Sequence, residues 1–160
     1  MIYLLVVDDE PMAVDYLVGM LQERNNPDLE ISKAYSAAEA IGKMYENKID
    51  ILLTDIRMPE VDGLKLSEIV RQRWPRCKVV FLSGYDDFGY IQSAIRQKSV
   101  DYILKTEGDD QIVRAIENAI SEIVKELQEE DILQKARQNI QAGLLHLQKE
   151  YLLEILQGDS

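Results

Sequence analysis

Apolar and polar positions switch between a strand-like and a helix-like rhythm along the chain up to Lys105. Met1 to Val7 is a near-continuous apolar run closed by Asp8 and Asp9, the pattern of a strand covered on both faces. Pro11 then suits the first turn of a helix, and Ala13, Leu17, Val18 and Leu21 recur at helical spacing to about Arg24, before Asn25, Asn26 and Pro27 end it. Leu29 to Tyr35 alternates imperfectly but is short and β-compatible, and it predicts a second strand. Ser36 with Glu39 forms a capping box that opens a helix carrying Ala37, Ala40, Ile41 and Met44 on one face. Ile51 to Thr54 run into Asp55, and Pro59 and Gly63 turn the chain, so Asp55 reads as the last residue of a buried strand. Leu64 to Trp74 follows as a helix ending before Pro75. Lys78 to Leu82 is a buried strand stopping at Ser83 and Gly84, Asp86 to Gln97 is a helix, and Val100 to Leu104 is a fifth strand ending at Lys105.

Strands alternating with helices over short connections predict an α/β fold, a doubly wound parallel sheet of five strands. From Asp109 the pattern stays helical almost to the end. Ile112, Ile116, Ile120, Ile123 and Leu127 make one apolar stripe, as expected of a last helix packed on the sheet. Glu129, Glu130 and Asp131 interrupt it. Leu133, Ile140 and Leu147 then recur every seven residues, with Leu144 and Tyr151 four residues after two of them. As one helix, at a rise of about 1.5 Å per residue, Asp109 to Leu156 would extend roughly 70 Å, so its far half needs a partner. The expected division is a domain over residues 1–127 and a helical linker, a coiled-coil dimerisation segment, over residues 128–160.

Composition narrows the classes. The chain has 160 residues, 46% hydrophobic and 29% charged, enough for one domain with a real core plus an appendage. The apolar run at the N-terminus meets Asp8 too soon for a signal peptide or membrane span, and the single cysteine, Cys77, offers no internal disulfide or metal framework. A cytoplasmic protein is expected. With 18 basic against 29 acidic residues, the net charge of −11 disfavours direct nucleic-acid binding. Residues 109–160 hold 11 acidic and 5 basic residues, net −6, so the long helix is no basic region.

The candidate chemistry sits at the strand ends: Asp8 and Asp9, Asp55, Ser83 and Lys105. Open α/β sheets bind ligands in the crevice outside those ends. The first and third strands lie side by side in a doubly wound sheet, which brings the three aspartates together. Their mutual repulsion is relieved by a hard divalent cation with oxygen ligands, which describes Mg²⁺. A phosphoryl group on Asp55 would share its charge with the metal and Lys105, and the Ser83 hydroxyl would donate to it.

The motifs VVDDEP at Val6 to Pro11, TDIRMPEVDGL at Thr54 to Leu64, LSGY at Leu82 to Tyr85 and DYILK at Asp101 to Lys105 resemble the receiver domain of two-component response regulators, over about Met1 to Leu127. The resemblance implies strand order 2-1-3-4-5 and phosphoryl transfer from a sensor histidine kinase to Asp55. It further implies Mg²⁺ bound by Asp9, Asp55 and the Arg57 backbone carbonyl, with Asp8 nearby through water. Ser83 and Tyr102 would form the switch pair, biasing the face made by the fourth helix, fifth strand and fifth helix. Phosphorylation is the protein's own reaction here; no turnover of a separate substrate is expected.

The stretch SGYDDFGYIQSAI, Ser83 to Ile95, resembles receivers attached to AraC-type helix-turn-helix outputs, and YLLEILQGDS resembles the linker that precedes them. DNA binding would then belong to an output domain outside this chain, in a homodimer paired through the C-terminal helices or through the switch face. The alternative is a stand-alone phospho-receiver acting by protein–protein interaction. A proline usually follows the family's lysine across a cis peptide. Here Thr106 follows Lys105, and a cis bond would cost about 2.5–4 kcal/mol, so trans is expected. Arg57 and Tyr85 stand two residues after the acceptor and the switch hydroxyl and are expected to slow hydrolysis of the phosphoryl group.

Simpler readings compete residue by residue. Asp8 and Asp9 could cap the first helix, Ser83 could be a turn residue and Tyr102 a plain core aromatic. His146 could be a phosphotransfer histidine, but no acidic neighbour or polar histidine box is read around it. A haloacid-dehalogenase-like phosphatase needs a second acid two residues after its nucleophile, where Arg57 stands instead.

Overall fold

The computed structural model describes residues 1–84 and 100–158, as two compact units, Met1–Ile120 and Ser121–Ser160. The expected helix Asp86 to Gln97, Tyr85 and most of the AraC-like stretch lie outside the described residues. In the first unit, five strands form one sheet: β1 (Ile2–Val7), β2 (Leu29–Ala34), β3 (Ile51–Asp55), β4 (Lys78–Ser83) and β5 (Val100–Leu104). Their order is β2-β1-β3-β4-β5, and every neighbouring pair is parallel, as the alternating pattern and the resemblance implied.

Position in the sheet explains how each strand looked in sequence. Each residue of β3 and of β4 is buried, because these strands have neighbours on both edges and cover on both faces. At the sheet's edge, β2 buries only Ala34 fully, which accounts for its imperfect alternation. β5, at the other edge, exposes Asp101 and Tyr102.

Among the described residues, three helices join the strands: α1 (Pro11–Glu23), α2 (Ala37–Glu46) and α3 (Gly63–Arg73). The serine half of the capping box forms as read, Ser36 Oγ accepting from the Glu39 N–H at 3.1 Å, while the Glu39 carboxylate accepts from the Tyr35 N–H at 2.7 Å, one residue before the N-cap. Asp62 caps α3 by accepting from the Lys65 N–H at 2.8 Å. Leu5, Val7, Leu52 and Phe81 meet Ala40, Met44, Leu66 and Val70 in one buried cluster. Leu4, Val6, Val14, Leu17, Ile112 and Ile116 are also buried. Cys77 belongs to the core, where burial pushes its thiol up to about 12 and leaves it unreactive.

The C-terminal helix runs Asp109–Gly158. Its expected stripe is buried at Ile112, Ile116 and Ile123 but not at Leu127, which is exposed. Among the described residues, no helix is long and apolar enough to cross a membrane.

Candidate functional site

Register brings the chemistry-bearing residues together. Val7 pairs with Thr54, so Asp8 and Asp55 leave adjacent strand ends. Asp55 in turn pairs with Leu82, and Ser83 with Leu104, which sets Lys105 one residue beyond the sheet. Asp8, Asp9 and Asp55 each offer a carboxylate oxygen, all within 4.8 Å of one another. Asp8 and Asp55 are buried and Asp9 is exposed. The Lys105 Nζ lies 3.0 Å from Asp55 Oδ2 and 3.9 Å from Asp8 Oδ2.

These positions strain the charge balance. Burial, the largest effect, pushes the Asp8 carboxyl up to about 6, reinforced by Asp55 and Asp9 and opposed by the Glu10 N–H and Lys105. Partial burial acts to lower the Lys105 pKa, but the Asp55 hydrogen bond and the charges of Asp55, Asp8 and Glu10 outweigh it, and the net shift is upward. Among the described residues, the Lys105 ammonium faces three clustered carboxylates, a negative pocket of hard oxygen donors. That donor set suits a divalent cation that keeps part of its water shell.

Helix capping by Asp8 or Asp9 is not what the structure holds. The α1 N-cap is Glu10, without a side-chain cap bond, and the Asp8 carboxylate accepts from the Glu10 N–H at 3.0 Å, which fixes the carboxylate at the pocket. Every peptide bond among the described residues is trans, including Lys105–Thr106. Lys105 instead opens a short 3₁₀ turn, Lys105–Glu107, closed by Gly108 at φ 97°. From that turn its side chain still reaches Asp55.

A close backbone approach holds the chain at Asp55. The Gly63 N–H donates to the Ile56 carbonyl at 2.7 Å, and a Cβ on Gly63 would fall 2.1 Å from the Asp55 carbonyl oxygen. Only glycine fits there. The Ile56 N–H donates to the Leu82 carbonyl at 3.2 Å, tying the loop to β4. Sequence reading took Gly63 only as a turn and missed this contact; the one local signal was a glycine directly after the capping Asp62.

Ser83 and Tyr102 differ. The Ser83 hydroxyl is fully buried and has no hydrogen-bond partner among the described residues, a costly arrangement for a structural serine. Tyr102 is 40% exposed, not a core aromatic, and its N–H donates to Asp101 Oδ1 at 2.9 Å. Arg57, two residues after Asp55, is exposed. His146 does have an acidic neighbour, contrary to the sequence reading: Glu150, one turn on, lies 3.0 Å away on an exposed helix face, remote in sequence from every residue of the pocket.

Comparison with known proteins shows likeness in sequence and fold. The family model described as the response regulator receiver domain matches residues 4–117. The uncharacterized transcriptional regulatory protein YesN of Bacillus subtilis (strain 168) is 29% identical over 155 residues, 97% of this chain and 41% of the relative. The transcriptional regulatory protein BtsR of Escherichia coli (strain K12) is 34% identical over 105 residues, 66% of this chain and 42% of the relative. The chain thus spans less than half the length of either. A crystal structure of a two component transcriptional regulator AraC from Clostridium phytofermentans ISDg superposes with TM-score 0.71 at 30% identity, covering 78% of this chain and 97% of that one.

Proposed function

The chain belongs to the response regulator receiver domain family, and we propose that Asp55 is its phosphoryl acceptor and Lys105 the cation that stabilises the phosphorylated state. The observation that carries this reading is the 3.0 Å contact from Lys105 to Asp55 inside the three-aspartate pocket. In the transfer, an Asp55 carboxylate oxygen attacks the phosphorus of a phosphohistidine on a sensor kinase. The P–N bond breaks as the P–O bond forms, and the imidazole leaves and takes up a proton. Water reverses the gain by attacking the same phosphorus: the bond between phosphorus and the Asp55 oxygen breaks, inorganic phosphate leaves, and Asp55 returns to a free carboxylate.

Asp9, Asp55 and the Arg57 carbonyl would hold Mg²⁺, with Asp8 contacting its water shell; when bound, the ion neutralises charge on the phosphoryl oxygens. Lys105 and the unpartnered Ser83 hydroxyl complete the set of groups for those oxygens, and Tyr102 turns inward behind Ser83. To move a switch from mostly off to mostly on, phosphorylation must favour one state by about 5.5 kcal/mol, which three new charge-assisted contacts can supply.

In the longer protein, residues 1–127 act as the receiver and residues 128–160 as a pairing linker in a cytoplasmic homodimer. The output is DNA-binding transcription regulation by a further domain. The names of the regulators it resembles support this. The test is incubation with acetyl phosphate and Mg²⁺ followed by intact mass, beside Asp55→Ala. A phosphoryl adduct in the parent alone is the expected result; an equal adduct in Asp55→Ala would overturn the assignment.

A further inference from the structure

Leu133, Ile140 and Leu147 recur every seven residues, and Leu144 and Tyr151 follow two of them by four. All five side chains are between 54% and 65% exposed and share one helical stripe. Soluble chains rarely leave contiguous apolar patches above roughly 300–600 Å² uncovered, and a seven-residue period is the signature of a helix seam. Arg137, four residues after Leu133, takes the seam position that Leu144 and Tyr151 hold in the next two repeats.

The borders of the stripe identify its occupant. Gln134, Ala136, Gln141, Gly143, Gln148 and Glu150 flank it, and of these six only Glu150 is charged, paired at 3.0 Å with His146 on its own helix, in a chain whose charged fraction is 29%. A seam selecting a different helix usually has charged borders that a partner of opposite sign complements. A second copy presents the same borders as the first, and uncharged ones do not repel their own kind.

We propose that this stripe docks on the same stripe of a second copy of this chain, and that Arg137 in the seam keeps the pairing weak. The proposal rests on the reading that the C-terminal helix is the dimerisation element, and it names the contact and its limiting residue. Burying a guanidinium opposes association, as a polar group at a seam position does. A pairing held near the middle of its equilibrium is one that a change in the receiver can move in either direction.

The experiment is sedimentation equilibrium of the full 160-residue chain over a range of concentrations, with three variants, each also treated with acetyl phosphate for intact mass. The parent is expected to show a concentration-dependent monomer–dimer equilibrium. Ile140→Lys weakens it about a hundredfold by placing a charge in the seam. Arg137→Leu tightens it about tenfold. Leu145→Lys, off the seam although Leu145 is equally apolar and exposed, leaves it unchanged. A parent monomeric throughout, an Arg137→Leu variant that pairs no more tightly, or a Leu145→Lys variant as weakened as Ile140→Lys would overturn the proposal. The Asp55 adduct is read separately in every sample, so failure of the seam is distinguished from failure of the phosphoryl-acceptor reading.

Discussion

Lys105 and Asp55, fifty residues apart in sequence, meet at 3.0 Å across the ends of β5 and β3, with β4 between those strands. The contact forms from a turn that begins at Lys105 itself and uses a trans peptide to Thr106. Lys105→Ala should lower stability by only about 1 kcal/mol, since the ammonium is partly solvated. It should slow adduct formation by about tenfold or more, because the incoming dianion loses its fixed counter-charge. Urea unfolding and a mass-spectrometric time course measure the two effects on the same preparation.

Gly63 and Gly42 should respond in opposite directions to the same substitution. A Cβ at Gly63 would overlap the Asp55 carbonyl, whereas one at Gly42 meets nothing within 4 Å. Gly63→Ala is expected to cost about 2–4 kcal/mol and to displace the acceptor, with loss of the adduct. Gly42→Ala, inside α2, is expected to gain about 0.5–1 kcal/mol and to leave the adduct rate unchanged. Urea unfolding curves for the two variants check the signs.

Asp8 makes the metal-free protein sensitive to pH. Its folded carboxyl lies at about 6, above the ordinary 3.8, so the proton is held more tightly in the folded state. That contribution to stability is whole below about pH 4 and is lost as pH rises through about 6. In EDTA, thermal stability should therefore fall between pH 4 and 7, and Asp8→Asn should flatten the fall. At pH 7 the variant should exceed the parent by about 1–3 kcal/mol, and Mg²⁺ should narrow the gap by stabilising the parent more. A parent whose melting temperature is flat from pH 4 to 7 would contradict this.

Ser83→Ala should separate stability from signalling. The buried hydroxyl has no partner among the described residues, so its removal should leave the unphosphorylated fold unchanged or up to about 1 kcal/mol more stable. The adduct should still form on Asp55, but the exposure of Tyr102, read by its fluorescence or chemical shift, should no longer change on phosphorylation. A Ser83→Ala protein that loses stability and keeps the Tyr102 response would assign the serine a purely structural role.

The regular part of this molecule was legible because its signals are local. A run such as Ile51 to Asp55 reads as a strand from its own apolar residues, and Ser36 with Glu39 reads as a helix start from a three-residue spacing. The periodicities alone supplied five strands, their intervening helices in the described regions and a long terminal helix, and the strand-end residues Asp8, Asp9, Asp55, Ser83 and Lys105 could be picked out as a set. Edges were less legible: β2 looked irregular because an edge strand is covered incompletely, and no local pattern states which strand is at the edge.

Fold class and the set of residue types at the strand ends were readable along the chain, because periodicity and chain punctuation are properties of neighbouring residues. Folding in three dimensions was needed to see that Lys105 reaches Asp55 without a cis bond, that Gly63 must lack a side chain, and that Asp8 is buried enough for its carboxyl to rise to about 6. Those facts depend on register and on the packing of segments far apart in the chain. Distance and desolvation arise between segments, and no stretch of sequence contains them alone.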